Sequence, residues 1–89
     1  MSISLDVLEH QHKIAQDKMT EQLELASDRL DKVLDMREGI GEFNLHNHNE
    51  WIRQAQVKLS NARSYMAQAR ALKDAMGKVK HAEEKLNHD

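Results

Sequence analysis

In the back half of the chain the apolar residues recur in sevens. One row is Trp51, Lys58, Tyr65, Leu72, Val79 and Leu86. A second, one residue on, is Ile52, Leu59 and Met66, continuing as Lys73 and Lys80. A third is Ala55, Ala62, Ala69, Met76 and Glu83. Seven residues make close to two helical turns, so each row lies along one face. The pattern predicts a long amphipathic helix over about 49–86, with an alanine seam between rows of larger apolar residues. Alanine at this spacing lets a neighbouring helix approach closely, so the seam is expected to be the tightest contact. Lys58 can snorkel its charge outward from its row. Lys73, Lys80 and Glu83 interrupt the rows. The seam is therefore expected to shift toward Leu72, Met76, Val79 and Leu86, with looser packing there.

The front half carries one stripe: Leu5, Leu8, Ala15, Met19, Leu23, Ala26, Leu30 and Val33, with Leu34 beside it and His12 in the one missing place. From Leu8 to Leu30 its spacing averages about 3.67 residues, which describes a nearly straight stripe rather than a strict heptad seam. This predicts a first helix over about 5–37. Ser2 or Ser4 can cap its start, and Asp6 and Glu9 suit the positive end of the helix dipole. Its stop is marked by Arg37, by Gly39 as a left-handed C′ residue, and by Ile40 as the hydrophobic partner of a Schellman motif. Clustered Gly and Asn make about 38–48 the one loop. Phe43 and Leu45 are expected to tuck over the open end of the helix pair. Asn47 with Glu50 resembles a capping box for the second helix, and Asn49 is a rival cap. Residues 87–89 are expected to fray.

Two helices of ~50–57 Å joined by one loop make an antiparallel hairpin. Composition points the same way. There is no Pro, aromatics are 3% and charged residues 31%, which favours long helices over sheet. Charge sorts by half. Residues 1–43 hold ten acids and five bases, a balance of −5, whereas 51–82 hold seven bases and one acid, a balance of +6. Opposite signs select this pairing more than they hold it together, since each exposed pair is worth only ~0.2–1 kcal/mol.

The 89 residues bound a single small domain, and a chain this short often needs a partner. The second helix is apolar over a wider arc than one neighbour covers. Burying the alanine row leaves either the Trp51, Tyr65, Leu72, Val79 flank or the Ile52, Leu59, Met66 flank wet, and such a strip marks an interface. The expected architecture is all-α: an antiparallel helical hairpin of two long helices, dimerising into a four-helix bundle. The candidate interface is Trp51, Ile52, Ala55, Leu59, Ala62, Tyr65, Met66, Ala69, Leu72, Met76 and Val79.

Candidate chemistry is sparse. There is no Cys, so neither a disulfide nor a thiolate site is available. His46 and His48 form His-x-His, which in an extended loop can aim both rings at one ion, with Glu42 or Glu50 as further donors. Two His are too few for a specific site, and no metal or other cofactor is assigned. A turn centred on residue 43 would bring positions summing to roughly 87 together, setting His10 beside His81 as a pH-sensitive pair. No nucleophile has a base in register, Gly39-Ile40-Gly41 lacks the rest of a phosphate loop, and inward Glu-x-x-His pairs are absent, so no enzyme activity is expected. The net charge of −2 disfavours general nucleic-acid affinity. No apolar run approaches the ~20 residues that span a bilayer, and no signal peptide is visible. Cytoplasmic residence is the expectation, with export by a route that reads no classical signal left open.

In size and hairpin shape the chain is similar to the small secreted Trp-x-Gly proteins, but Ile52-Arg53 follows Trp51, so that motif is not present. It is also similar in size and shape to the helical-hairpin chaperones of type III secretion systems, without a shared motif. The functional expectation is a small non-enzymatic interaction module (an adaptor, secretion-type chaperone or inhibitor), meeting itself as a homodimer or another helical protein. The alternative is a dimeric helical RNA- or DNA-binding regulator using Arg53, Arg63, Arg70 and Lys78 on the basic face of the second helix.

Overall fold

The computed structural model describes residues 4–87. Two helices, α1 (Leu5–Arg37) and α2 (Leu45–Asn87), account for nearly all of them, and no strand occurs among the described residues. They pack antiparallel as a hairpin of 70 × 18 × 14 Å.

Local chemistry sets the ends. The backbone N–H of Val7 donates to Ser4 Oγ at 3.3 Å, so Ser4 is the cap; Ser2 lies outside the described residues. At the other end of α1 the Ile40 N–H reaches Asp35 O at 2.9 Å and the Gly39 N–H reaches Met36 O at 3.3 Å, with Gly39 at φ 81°. That six-to-one and five-to-two pair is a Schellman motif, and the left-handed residue it needs is supplied by glycine. Ile40 does not close over it but stays exposed.

The start of α2 departs from expectation. The helix begins at Leu45 rather than near 49. Asn44 is its cap: Asn44 Oδ1 accepts from the Asn47 N–H at 3.0 Å, and Asn44 O from the His48 N–H at 2.9 Å. Asn47 and Asn49 are therefore early helical residues, not caps. Phe43 and Leu45 remain exposed instead of folding over the helix end. The extra turn carries His48 to the head of the alanine row, where it is only 5% exposed.

The core is a heptad seam on both helices. In α2 the inward rows are His48, Ala55, Ala62, Ala69, Met76 and Trp51, Lys58, Tyr65, Leu72, Val79; all are buried or half-buried. The alanine row is the most enclosed part. In α1 the inward rows are Leu5, His12, Met19, Ala26, Val33 and Leu8, Ala15, Gln22, Arg29, Met36, again all buried or half-buried. This corrects the straight-stripe reading. Leu23 and Leu30 drift off the seam and are exposed, while Gln22 and Arg29 take their level in it. Two helices that stay in contact over many turns must keep a 3.5-residue period, and a 3.67-residue stripe rotates out of the contact.

Polar contacts fix the register. Asn61 Nδ2 donates to Gln22 Oε1 at 3.1 Å, and Arg29 Nε donates to Gln54 Oε1 at 2.8 Å. Both pairs sum to 83, not 87. His10 is thus level with about residue 73, eight residues or ~12 Å along the axis from His81, and the two do not meet. The opposite charges of the helices do not pair directly either. The ion pairs among the described residues, Asp28 with Arg29 and Lys32, and Glu50 with Arg53, lie within single helices. In this register α2 runs past the start of α1. Leu5, Val79, Ala82 and Leu86 line an open groove of about 610 Å³ there, in the region where the interrupted rows predict loose packing.

Candidate functional site

The seam has two unlike sides. On one, Gln22 and Arg29 of α1 are bonded to Asn61 and Gln54 of α2. Trp51 is covered there by cations, with Lys32 Nζ 4.3 Å and the Arg29 guanidinium 5.4 Å from its ring centroid, an arrangement that favours ring and charge together. Polar contacts bridge this side, beside a smaller groove of about 200 Å³ lined by Arg29, Arg53, Gln54, Val57 and Lys58.

On the other side the flanking positions are apolar: Leu23 and Leu30 on α1, Ile52, Leu59 and Met66 on α2. In the observed register Leu30 is level with Ile52 and Leu23 with Leu59. Ile52 is half-buried, while Leu23 is 44% and Leu59 43% exposed. A groove of about 250 Å³, lined by Met19, Leu23, Leu59, Ala62, Arg63 and Met66, runs between the helices. Leu34, also exposed, continues the strip toward the loop, where Ile40, Phe43 and Leu45 are exposed too. Exposed apolar residues therefore gather along this side of the seam, a feature that can mark an interaction site.

The residues expected at an interface divide accordingly. Ala55, Ala62 and Ala69 are buried in the seam within the chain, and Trp51, Tyr65, Leu72, Met76 and Val79 are half-buried along it. Only Ile52, Leu59 and Met66 stand on the open side. Leu23, Leu30 and Leu34 belong with them. Assigning Leu23 and Leu30 to the core hid that. The signal lay in the competing sevenfold rows of α1, which place Gln22 and Arg29 inward.

The basic residues expected at a nucleic-acid face, Arg53, Arg63, Arg70 and Lys78, are all exposed but not equivalent. Arg63 lines the apolar groove, and Arg70 follows it one heptad on. Arg53 is engaged by Glu50, its Nε donating to Oε2 at 3.1 Å. That hydrogen bond, with one from Arg53 Nη2 to Oε1 and another from Gln54, holds the Glu50 carboxyl down at about 2. Lys78 is turned about 80° from Arg70 around the helix.

The His-x-His pair is helical rather than extended, so His46 and His48 diverge by about 200° and cannot face one ion. His46 is exposed; His48 is spoken for. Arg37 Nε donates to His48 Nε2 at 3.2 Å, and Arg is always a donor, so Nε2 must be the acceptor. Nδ1 then carries the hydrogen and donates to Asn49 Oδ1 at 3.2 Å. The Phe43 ring lies 5.6 Å away, tilted by 44°. His48 therefore ties the end of α1 to the start of α2. Among the described residues no cluster of three or more His, Asp or Glu is placed to hold a metal, and no helix is long and apolar enough to cross a membrane.

The fold and this face define a two-helix coiled-coil hairpin with one apolar side left open. No protein-family model, curated protein or solved structure matches the chain.

Proposed function

We propose that this protein is a small non-enzymatic interaction module, an adaptor, secretion-type chaperone or inhibitor, that meets a helical surface through its apolar face. The partner is a second copy or another helical protein. One observation carries the reading: Leu23, Leu30, Leu59 and Met66 line up, exposed, along one side of a seam whose other side is bridged by polar contacts. A helix laid along them would fill the groove as in helix-in-groove recognition.

The test is capture from the source cell with the wild-type chain and with a Leu23→Glu/Leu59→Glu variant as bait, which sets like charges on both sides of the face. Both positions are exposed, so the variant should keep its helicity by circular dichroism and lose the partner. Equal capture by both would refute the reading. Binding to RNA that survives physiological salt and disappears in Arg63→Glu/Arg70→Glu would replace it with the nucleic-acid alternative.

A further inference from the structure

Resting on the interaction-face reading, we infer that the occupant of the apolar face is a second copy of this chain, related by a twofold axis along the hairpin's length. The copies then lie with both loops at the same end, α1 of each over α2 of the other.

Area permits it. The two-helix part of the hairpin, ~50 Å of its 70 Å length and 18 Å across, offers on the order of 900 Å², comparable with the ~800 Å² per partner of a standard stable interface. Symmetry fits it too. Because Leu23 is level with Leu59 and Leu30 with Ile52, a lengthwise twofold sets Leu23 on the second copy's Leu59, Leu30 on its Ile52, and both reciprocally. Each apolar level stacks on its own equivalent, as an isologous contact requires.

Charge selects this axis over the other face-to-face twofold. An axis across the hairpin's length would lay α1 on α1 and α2 on α2, bringing −5 against −5 and +6 against +6 in the segments 1–43 and 51–82. The lengthwise axis puts every acidic helix between two basic ones. The details agree: Asp17 and Glu24 run along α1 two rows outside its apolar band, and Arg63 and Arg70 border the band on α2. The lengthwise pairing brings these rows within a turn of each other. It also makes all four neighbouring contacts antiparallel, as in an up-down four-helix bundle.

The native chain has no Cys, so one introduced in the loop can be labelled cleanly. Ile40→Cys, at an exposed site, carries a nitroxide for pulsed electron–electron distance measurement on the full chain, with light scattering at about 50 μM. The expected result is a dimer with a label separation under about 30 Å, the width of a bundle with helices 8–10 Å apart. The crosswise dimer puts the labels beyond about 40 Å, because Ile40 lies ~20 Å from the middle of the apolar band. Leu59→Arg should give a monomer of unchanged helix content.

A monomeric wild type, a long label distance, or a dimer indifferent to Leu59→Arg would each overturn the proposal. A monomer that still captures a partner through Leu23 and Leu59 would sink the self-pairing alone. Loss of that dependence as well would sink the interaction face.

Discussion

Gly77 sits inside α2, ten residues from its end, and nothing approaches within 4 Å of where its Cβ would be. Its φ is not positive, so the helical backbone it adopts is one alanine prefers. Gly77→Ala therefore adds no clash and no strain. It removes the excess freedom of glycine in the unfolded chain, and alanine is the better helix former by ~0.8–1.0 kcal/mol. Nothing in the folded hairpin opposes this gain. For a domain of this size 1 kcal/mol moves the midpoint by about 4–8 °C, so a rise of roughly 4–6 °C is expected. Thermal and urea unfolding followed at 222 nm measure it, and the urea slope should not change. An unchanged or lowered midpoint would refute the reasoning, because it would mean that the open space beside Gly77 is filled in the folded species in solution. Repeating the scan over a hundredfold protein range locates such a contact, since an intermolecular one makes the midpoint concentration-dependent.

Replacing the cap by Asn44→Ala should cost about 1 kcal/mol, whereas Asn47→Ala should cost a few tenths at most, and chemical denaturation separates the two. His48→Ala leaves the alanine row unbroken but deletes two hydrogen bonds and the Phe43 contact; a loss of ~1–2 kcal/mol is expected in the same assay. The Glu50 carboxyl should titrate near 2 by NMR and return toward 4.5 in Arg53→Ala. Its folded value is lowered, so its contribution to stability is complete above about 4.5 and fades as pH falls toward 2; a titration in the ordinary range would show that the Arg53 pair does not persist.

The two helices are legible in the sequence because both ends of α1 carry strong signals, Ser2 or Ser4 ahead of Leu5 and Gly39 just after Arg37. The alanine row is legible because its sevenfold spacing has no competitor in α2. Three Asn near the start of α2 offer equivalent local caps, and local propensity does not rank them. The choice of Asn44 is tertiary: only a helix begun at Leu45 places His48 against Arg37 and Phe43. The apolar face was half-legible. The Ile52, Leu59, Met66 row can be read as a flank that one neighbour leaves wet. Its continuation on α1 stayed hidden, since counting Leu23 and Leu30 as core favours a 3.67-residue stripe. The period of α1 is set instead by its partner, which accepts Gln22 and Arg29 because Asn61 and Gln54 satisfy them.

The alignment of the two helices is held by amide and guanidinium groups on the side away from the leucines. If the proposed face is the one that meets a partner, altering Leu23, Leu30, Leu59 or Met66 is expected to change that partner without inviting one helix to slide along the other. The proposed recognition face and the contacts that align the helices thus fall on separate edges of the same rod, so the first can be redesigned by substitution while the second stays in place.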